Sequence, residues 1–124
     1  MKFRIARHTT NLQAIIGFYC GVLDLELLDE FHNHDHYDGI FIGNRDADWH
    51  LEFTISDVKP QHYPDPDDLL VFYPQSEASF DHIISKFRLN KIQELEPKNP
   101  YWKIHGKTYS DPDGFRIVIS KTQI

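Results

Sequence analysis

The stretch Asn11-Leu12-Gln13-Ala14-Ile15-Ile16-Gly17-Phe18-Tyr19 carries the pattern that decides the fold. Apolar side chains recur at i, i+3, i+4 and i+7 from Leu12 to Tyr19, which predicts an amphipathic helix with one buried face. Asn11 is a suitable N-cap, because its side chain can accept a hydrogen bond from a free amide of the first turn. Gly21 predicts the end of the helix.

Strand patterns lie on both sides of this helix. Residues 3–9 alternate before it, and residues 23–31 after it are strand-like, with acidic side chains typical of an exposed edge. Residues 40–43 and Trp49–Ile55 predict two further strands joined by a polar turn. Trp49–Ile55 is the clearest of them, since its odd-numbered residues are apolar and its other face carries His50, Glu52 and Thr54.

The same plan recurs in the second half of the chain. The helical face repeats 68 positions later, with Ser76 as its cap, in Phe80, Ile83, Ile84 and Phe87. The predicted strands of this half are residues 69–73 (buried on both faces), 92–95, 107–110 and 115–120, with the turn Asp111-Pro112-Asp113-Gly114 before the last of them.

Between the two halves lies a stretch rich in proline and polar residues, which fits neither a helix nor a central strand. The sequence therefore predicts an α+β fold of two βαβββ modules in tandem within one domain. Module one covers about residues 1–56, the linker about 57–67 and module two about 68–124. Each half alone is too short to bury its own sheet, so we expect a mixed sheet curled into a cup with the helices outside.

Composition narrows the range of partners. The chain has 124 residues, with 13 Lys and Arg against 19 Asp and Glu, for a formal net charge of −6. This excess of negative charge argues against binding to nucleic acid, whose phosphates it would repel, and favours a cationic or neutral small partner. No window approaches the ~18 uninterrupted apolar residues of a membrane span. Cys20 stands alone and predicts no internal disulfide, and the N-terminus lacks a signal-peptide pattern, so we expect a cytoplasmic protein.

Three stretches together resemble the vicinal oxygen chelate superfamily, which includes glyoxalase I, bleomycin-resistance proteins and extradiol dioxygenases. They are residues 11–19 with 23–28, residues 50–53, and residues 110–117. The run Asn99-Pro100-Tyr101-Trp102 and the pair Tyr37-Asp38 are similar to the YycE-like branch. The resemblance implies the two-module fold and, in the enzymes, a divalent metal held by His, Glu or Gln side chains from the first and last strands of each module.

Carried over one position at a time, the resemblance places these ligand positions on Arg4, Glu52, near Asp68, and on Val118. Arginine is always cationic and offers only donors, and valine has no lone pair, so at most Glu52 and Asp68 remain. The resemblance therefore implies no obligatory cofactor, while a divalent metal stays an alternative. It also places Arg4 opposite Glu52, where the two either line a ligand cavity or form a purely structural ion pair.

Other side chains are candidates for the same cup. His8 and His50 alternate onto its face and could act as general bases or simply line it. Tyr101 and Trp102 follow Pro100 in a region that we expect to be a loop, and they either cover a bound ligand or cap the core. On an extended segment His32, His34 and His36 would share one face and could bind zinc, nickel or copper, unless the segment is an exposed polar loop.

These observations favour a small-molecule-binding protein of the glyoxalase/bleomycin-resistance type, in which the cup holds a small organic molecule without an obligatory metal. The alternative is a lyase or isomerase similar to glyoxalase I, in which Glu52 works with His8, His50 or Asp68 around a divalent ion. A third hypothesis is a non-catalytic interaction module that works as a homodimer. For Cys20, a buried apolar role is favoured over a nucleophilic one.

Overall fold

The structure, a computed structural model, describes residues 1–123 and divides the chain into a unit covering Met1–Gln61 and a second unit that begins at His62. The elements of the first unit are β1 (Phe3–His8), α1 (Leu12–Tyr19), β2 (Glu26–His34), β3 (Tyr37–Gly43) and β4 (Trp49–Ile55). Its four strands form one sheet in the order β1-β4-β3-β2. In this order β1 and β2 are the edge strands. β1 runs parallel to β4, and the other neighbouring strands are antiparallel.

Helix α1 covers one face of this sheet. As predicted, Asn11 caps it by accepting a hydrogen bond from the Ala14 amide at 3.0 Å. Tyr19, fully buried, lies with its ring centroid 5.2 Å from that of Phe53. The sheet residues buried on this side are Ile40, Ile42, Leu51 and Phe53. Because strand residues alternate between faces, His50, Glu52 and Thr54 point away from the helix.

We call that second side the distal face: it consists of these three β4 residues and the residues paired with them in register. On β1 the partners are Arg4, Ala6 and His8, and on β3 they are Gly43, Phe41 and Gly39. The register thus brings residues from three strands onto one surface.

The sequence placed two strands of the first unit imperfectly. The strand predicted for residues 23–31 begins only at Glu26, because Asp24 adopts a left-handed φ of 61° and turns the chain after α1. The strand predicted for residues 40–43 begins earlier, at Tyr37, where it pairs with His34. The exposed-edge prediction for β2 is confirmed, since Glu26 and Glu30 are exposed on an edge strand.

The second unit contains β5 (Leu69–Phe72), α2 (Glu77–Leu89), α3 (Tyr101–His105), β6 (Gly106–Ser110) and β7 (Arg116–Ser120). Its three-stranded sheet has the order β5-β7-β6, with β5 parallel and β6 antiparallel to β7. Ser76 caps α2 by accepting from the Ser79 amide at 3.0 Å. The turn before β7 closes as predicted, with Gly114 at φ 87° donating its amide to the Asp111 carbonyl at 3.0 Å.

Three expectations for this unit were wrong. Residues 92–95 do not form a strand, and Leu95 makes only a single bridge to Thr108. β5 is not buried on both faces, because it is an edge strand and its four residues are half-exposed. Residues 101 and 102 lie in helix α3 rather than in a loop. Pro100 suits a helix start because it has no amide hydrogen to leave unpaired, and Asn99 accepts from the Tyr101 amide at 3.0 Å.

Among residues 1–123, no helix is both long and apolar enough to cross a bilayer.

Replacing the cap residue tests how much its hydrogen bond stabilises the start of α1. We expect Asn11→Ala to lower the free energy of unfolding by about 1 kcal/mol, because one first-turn amide loses its acceptor. Gln13→Ala, an exposed position in the same helix, is the matched control and should change it by less than about 0.5 kcal/mol. Urea unfolding monitored by circular dichroism measures both, and equal values for the two variants would contradict the capping role.

Candidate functional site

The centre of the distal face is the Arg4 guanidinium, which has contacts on three sides. Its Nε donates a hydrogen bond to His50 Nε2 at 2.9 Å. Its Nη1 lies 3.6 Å from Glu52 Oε1. Its Cζ stands 4.7 Å from the centroid of the Phe41 ring, in cation–π geometry. The predicted approach of Arg4 to Glu52 is therefore present, and His50 lies in the same cluster.

The hydrogen bond from Arg4 fixes the state of His50. An arginine Nε can only donate, so His50 Nε2 must be the acceptor and carry no proton. The neutral ring then carries its proton on Nδ1. While this contact holds, Nε2 is available neither as a general base nor as a metal ligand.

The arginine and the glutamate differ in exposure. The side chain of Arg4 is 48% exposed, whereas that of Glu52 is 15% exposed. Among residues 1–123, Arg4 makes no hydrogen bond, ion pair or ring contact beyond those with His50, Glu52 and Phe41, and Glu52 has no hydrogen-bond donor within bonding distance. The charge of the mostly buried Glu52 carboxylate is thus balanced by a cation. Its oxygen atoms, however, accept no hydrogen bond from the described residues.

His8 lies farther along the same face and is engaged at both ring nitrogens. Its Nδ1 is 2.8 Å from Thr54 Oγ1, and its Nε2 is 3.0 Å from both Ser56 Oγ and the Val58 carbonyl oxygen. A carbonyl can only accept, so Nε2 carries a proton and donates to it, while Nδ1 shares a hydrogen bond with the threonine hydroxyl. Tyr37 packs beside it at 5.6 Å between ring centroids. This geometry matches a lining residue held in place rather than a free base.

The side chains of this face do not fit a divalent ion. The cationic guanidinium lies 3.6 Å from Glu52 Oε1, so a metal ion bound to this oxygen would lie beside a like charge. Within the described chain, residues 1–123, no three His, Cys, Asp or Glu side chains are grouped to hold a metal. Asp68 is an exposed residue of the second unit, directly before β5, and Val118 is completely buried in β7.

The histidine run at the β2–β3 hairpin does not form the shared face that was predicted. Asn33, Asp35 and His36 adopt left-handed φ values of 50°, 51° and 69°, which break the alternation of the strand. The run is exposed, and His34 lies only 3.9 Å from its neighbour Asp35. The prediction that His32, His34 and His36 share one face is therefore wrong.

Three other candidates lie outside the distal-face cluster. Tyr101, half-exposed in α3, has its ring centroid 4.3 Å from that of His105 with the rings tilted, and it meets Trp102 edge-on at 4.8 Å. A ligand-binding role for this aromatic pair stays a prediction. Cys20 is the half-buried C-cap of α1, and burial raises the pKa of its thiol. A raised pKa disfavours the thiolate, which agrees with an apolar rather than a nucleophilic role.

Sequence reasoning missed Phe41. Its alternation with the buried Ile40 and Ile42 places it on the distal face, where it supports the guanidinium and meets His50 edge-on at 5.7 Å. That alternation was visible in the sequence. The sequence did not show that β4 lies between β1 and β3, which places Arg4 on β1 and Phe41 on β3 at either side of β4.

Two family models match the chain, the YycE-like N-terminal domain over residues 3–54 and the YycE-like C-terminal domain over residues 67–121. The YycE protein of Bacillus subtilis (strain 168) is 43% identical over 123 residues, which cover 98% of this chain and 88% of that protein. The chain belongs to the YycE-like family. A crystal structure of the Bacillus subtilis YycE protein, whose function is unknown, superimposes with a TM-score of 0.90 over 99% of this chain and 90% of that one.

More distant structures share the fold. Glyoxalase I of Leishmania major has a TM-score of 0.73 at 16% identity, covering 94% of this chain and 83% of its own. TnmS3, an antibiotic binding protein from Streptomyces sp. CB03234, has a TM-score of 0.68 at 19% identity, covering 97% and 93%. The YycE-like chain thus has the glyoxalase/bleomycin-resistance fold of the vicinal oxygen chelate superfamily, as its motifs predicted.

The arginine–histidine contact can be tested by the tautomer of His50. We expect ¹⁵N spectra at neutral pH to show the Nδ1–H form in the native protein. Arg4→Met removes the donor, so His50 should change to the Nε2–H form that free imidazoles prefer. His36, exposed on the hairpin, is the internal control and should be the same in both proteins. A native His50 in the Nε2–H form would contradict the hydrogen bond.

Proposed function

We propose that this protein binds a small organic molecule on the distal face around Arg4 and Glu52, and that binding needs no metal ion. One observation carries the proposal: a guanidinium stands beside the mostly buried Glu52 carboxylate, at the position where the resemblance implies a metal ligand. It supplies a permanent positive charge, with N–H donors beyond the one given to His50, on a face that also presents aromatic carbon.

The fold alone does not choose between binding and catalysis. The same fold is found in an antibiotic binding protein and in a glyoxalase I, so the choice rests on the side chains of the site. For the lyase or isomerase alternative, Glu52 would need partners that share an ion with it. His50 instead accepts a hydrogen bond from Arg4, and both nitrogens of His8 are engaged with Thr54 and the 56–58 segment. These contacts support binding over metal-assisted proton transfer.

A small organic molecule is therefore the proposed partner. A cytoplasmic location and a homodimer remain predictions, and size-exclusion chromatography with light scattering tests the second of them.

Metal content separates the two candidate functions. We expect protein stripped with EDTA, then mixed with nickel, zinc or manganese and desalted, to retain far less than one ion per chain. The cation beside Glu52 disfavours a second positive charge there. A variant with His32, His34 and His36 all changed to Asn serves as a control, since exposed histidines bind nickel weakly on their own. One ion per chain that this variant keeps and Glu52→Gln loses would instead favour the enzyme alternative.

Binding itself can be tested with a set of fluorinated aromatic fragments in the presence of EDTA, read out by ¹⁹F relaxation. We expect a subset to bind the native protein and to lose binding in the double variant Arg4→Met, Glu52→Leu, which removes both charges together. Arg45→Met with Glu26→Leu is the matched control, because that exposed pair has the same 3.6 Å separation in the same unit. Fragments that bind the first double variant as well as the native protein would overturn the proposed function.

A further inference from the structure

The distal face has hydrogen-bonding capacity that the protein leaves unused. A guanidinium carries five N–H groups, and Arg4 directs one of them to His50. The nearest further acceptor, Glu52 Oε1, is 3.6 Å away, which is beyond hydrogen-bonding distance. Within residues 1–123, Glu52 accepts no hydrogen bond. Donors and an acceptor therefore lie side by side without partners.

The charges of the two groups oppose each other. The Arg4 guanidinium is a cation, the Glu52 carboxylate is an anion, and the His50 ring accepts at Nε2 from Arg4. A carboxylate ligand drawn to the guanidinium meets the negative charge of Glu52, and a cation drawn to the carboxylate meets Arg4. Asp29, paired in register with Phe41, is the next carboxylate on this side, but it is exposed and screened by water.

Aromatic carbon borders this polar pair. The Phe41 ring lies under the guanidinium, and the centroid of the Phe31 ring is 5.8 Å from the centroid of the Phe41 ring. Phe31 lies directly across Gly39, where a Cβ would overlap its ring, so the absence of a side chain at Gly39 lets the ring lie against the sheet. A ligand with a flat apolar body can rest against these rings while its polar end meets Arg4 and Glu52.

We infer that the site takes neutral molecules of the aromatic carboxamide class, which rests on the binding function proposed above. The carbonyl oxygen of the amide accepts from the free N–H groups of Arg4, and its NH₂ group donates to Glu52. Such a ligand satisfies the donor and the acceptor together, brings no net charge, and places its ring beside Phe31 and Phe41.

The test uses three probes of one shape: benzamide, benzoate and benzamidine. Each is titrated at pH 7 with EDTA into ¹⁵N-labelled protein, and the amide shifts of β1, β3 and β4 report binding at the distal face. We expect benzamide to bind about tenfold more tightly than either ion, since each ion leaves one protein group facing a like charge.

Single charge removals should switch this order. In Glu52→Gln the positive charge of Arg4 is uncompensated, so benzoate should become the preferred probe. In Arg4→Met the negative charge of Glu52 remains, so benzamidine should be preferred. Glu26→Gln, which removes an exposed carboxylate at the sheet edge, is the control. In this variant benzamide should still bind more tightly than the two ions.

The outcomes are distinguishable from failure of the binding function. If benzoate or benzamidine binds the native protein more tightly than benzamide, or if none of the three shifts the distal face, the carboxamide class is overturned. The binding function is overturned separately, if no fragment binds the native protein or if fragment binding survives the removal of Arg4 and Glu52 together.

Discussion

The contact of the Arg4 guanidinium with Glu52 is the constraint on which the site depends. A carboxylate that is only 15% exposed needs a nearby positive charge, since burying an unpaired charge is strongly unfavourable. The resemblance implies that the superfamily's enzymes meet that need with a divalent ion. In this chain the first strand supplies a fixed cation instead, and because arginine does not lose its proton, the compensation is permanent.

The contacts of Arg4 extend beyond Glu52. The same guanidinium also donates to His50, places its positive charge beside Glu52, and lies over Phe41, which in turn packs near Phe31. The superfamily fold thus carries, in this chain, a polar and charge-balanced surface whose first strand presents a cation at a position where the resemblance implies a metal ligand. The shared fold of glyoxalase I and an antibiotic binding protein illustrates how far such a scaffold tolerates different sites.

Predictions from the sequence succeeded where the cause is local. The caps at Asn11 and Ser76 and the turn ending at Gly114 each depend on hydrogen bonds within about four residues. The prediction of a shared histidine face failed because it assumed one extended strand, and the hairpin interrupts that strand at Asn33. Helix α3 was missed because a five-residue helix is too short to show a period.

The sequence by itself determined the two helical faces, the alternation of Trp49–Ile55 and the fact that position 4 holds a cation unable to bind a metal. Only the tertiary structure decided what that cation touches. Arg4 and His50 are 46 residues apart, and they meet because β1 pairs in parallel with β4. Strand pairing is chosen by the burial of the whole sheet against α1 rather than by any short segment, so such contacts have no local pattern from which to predict them.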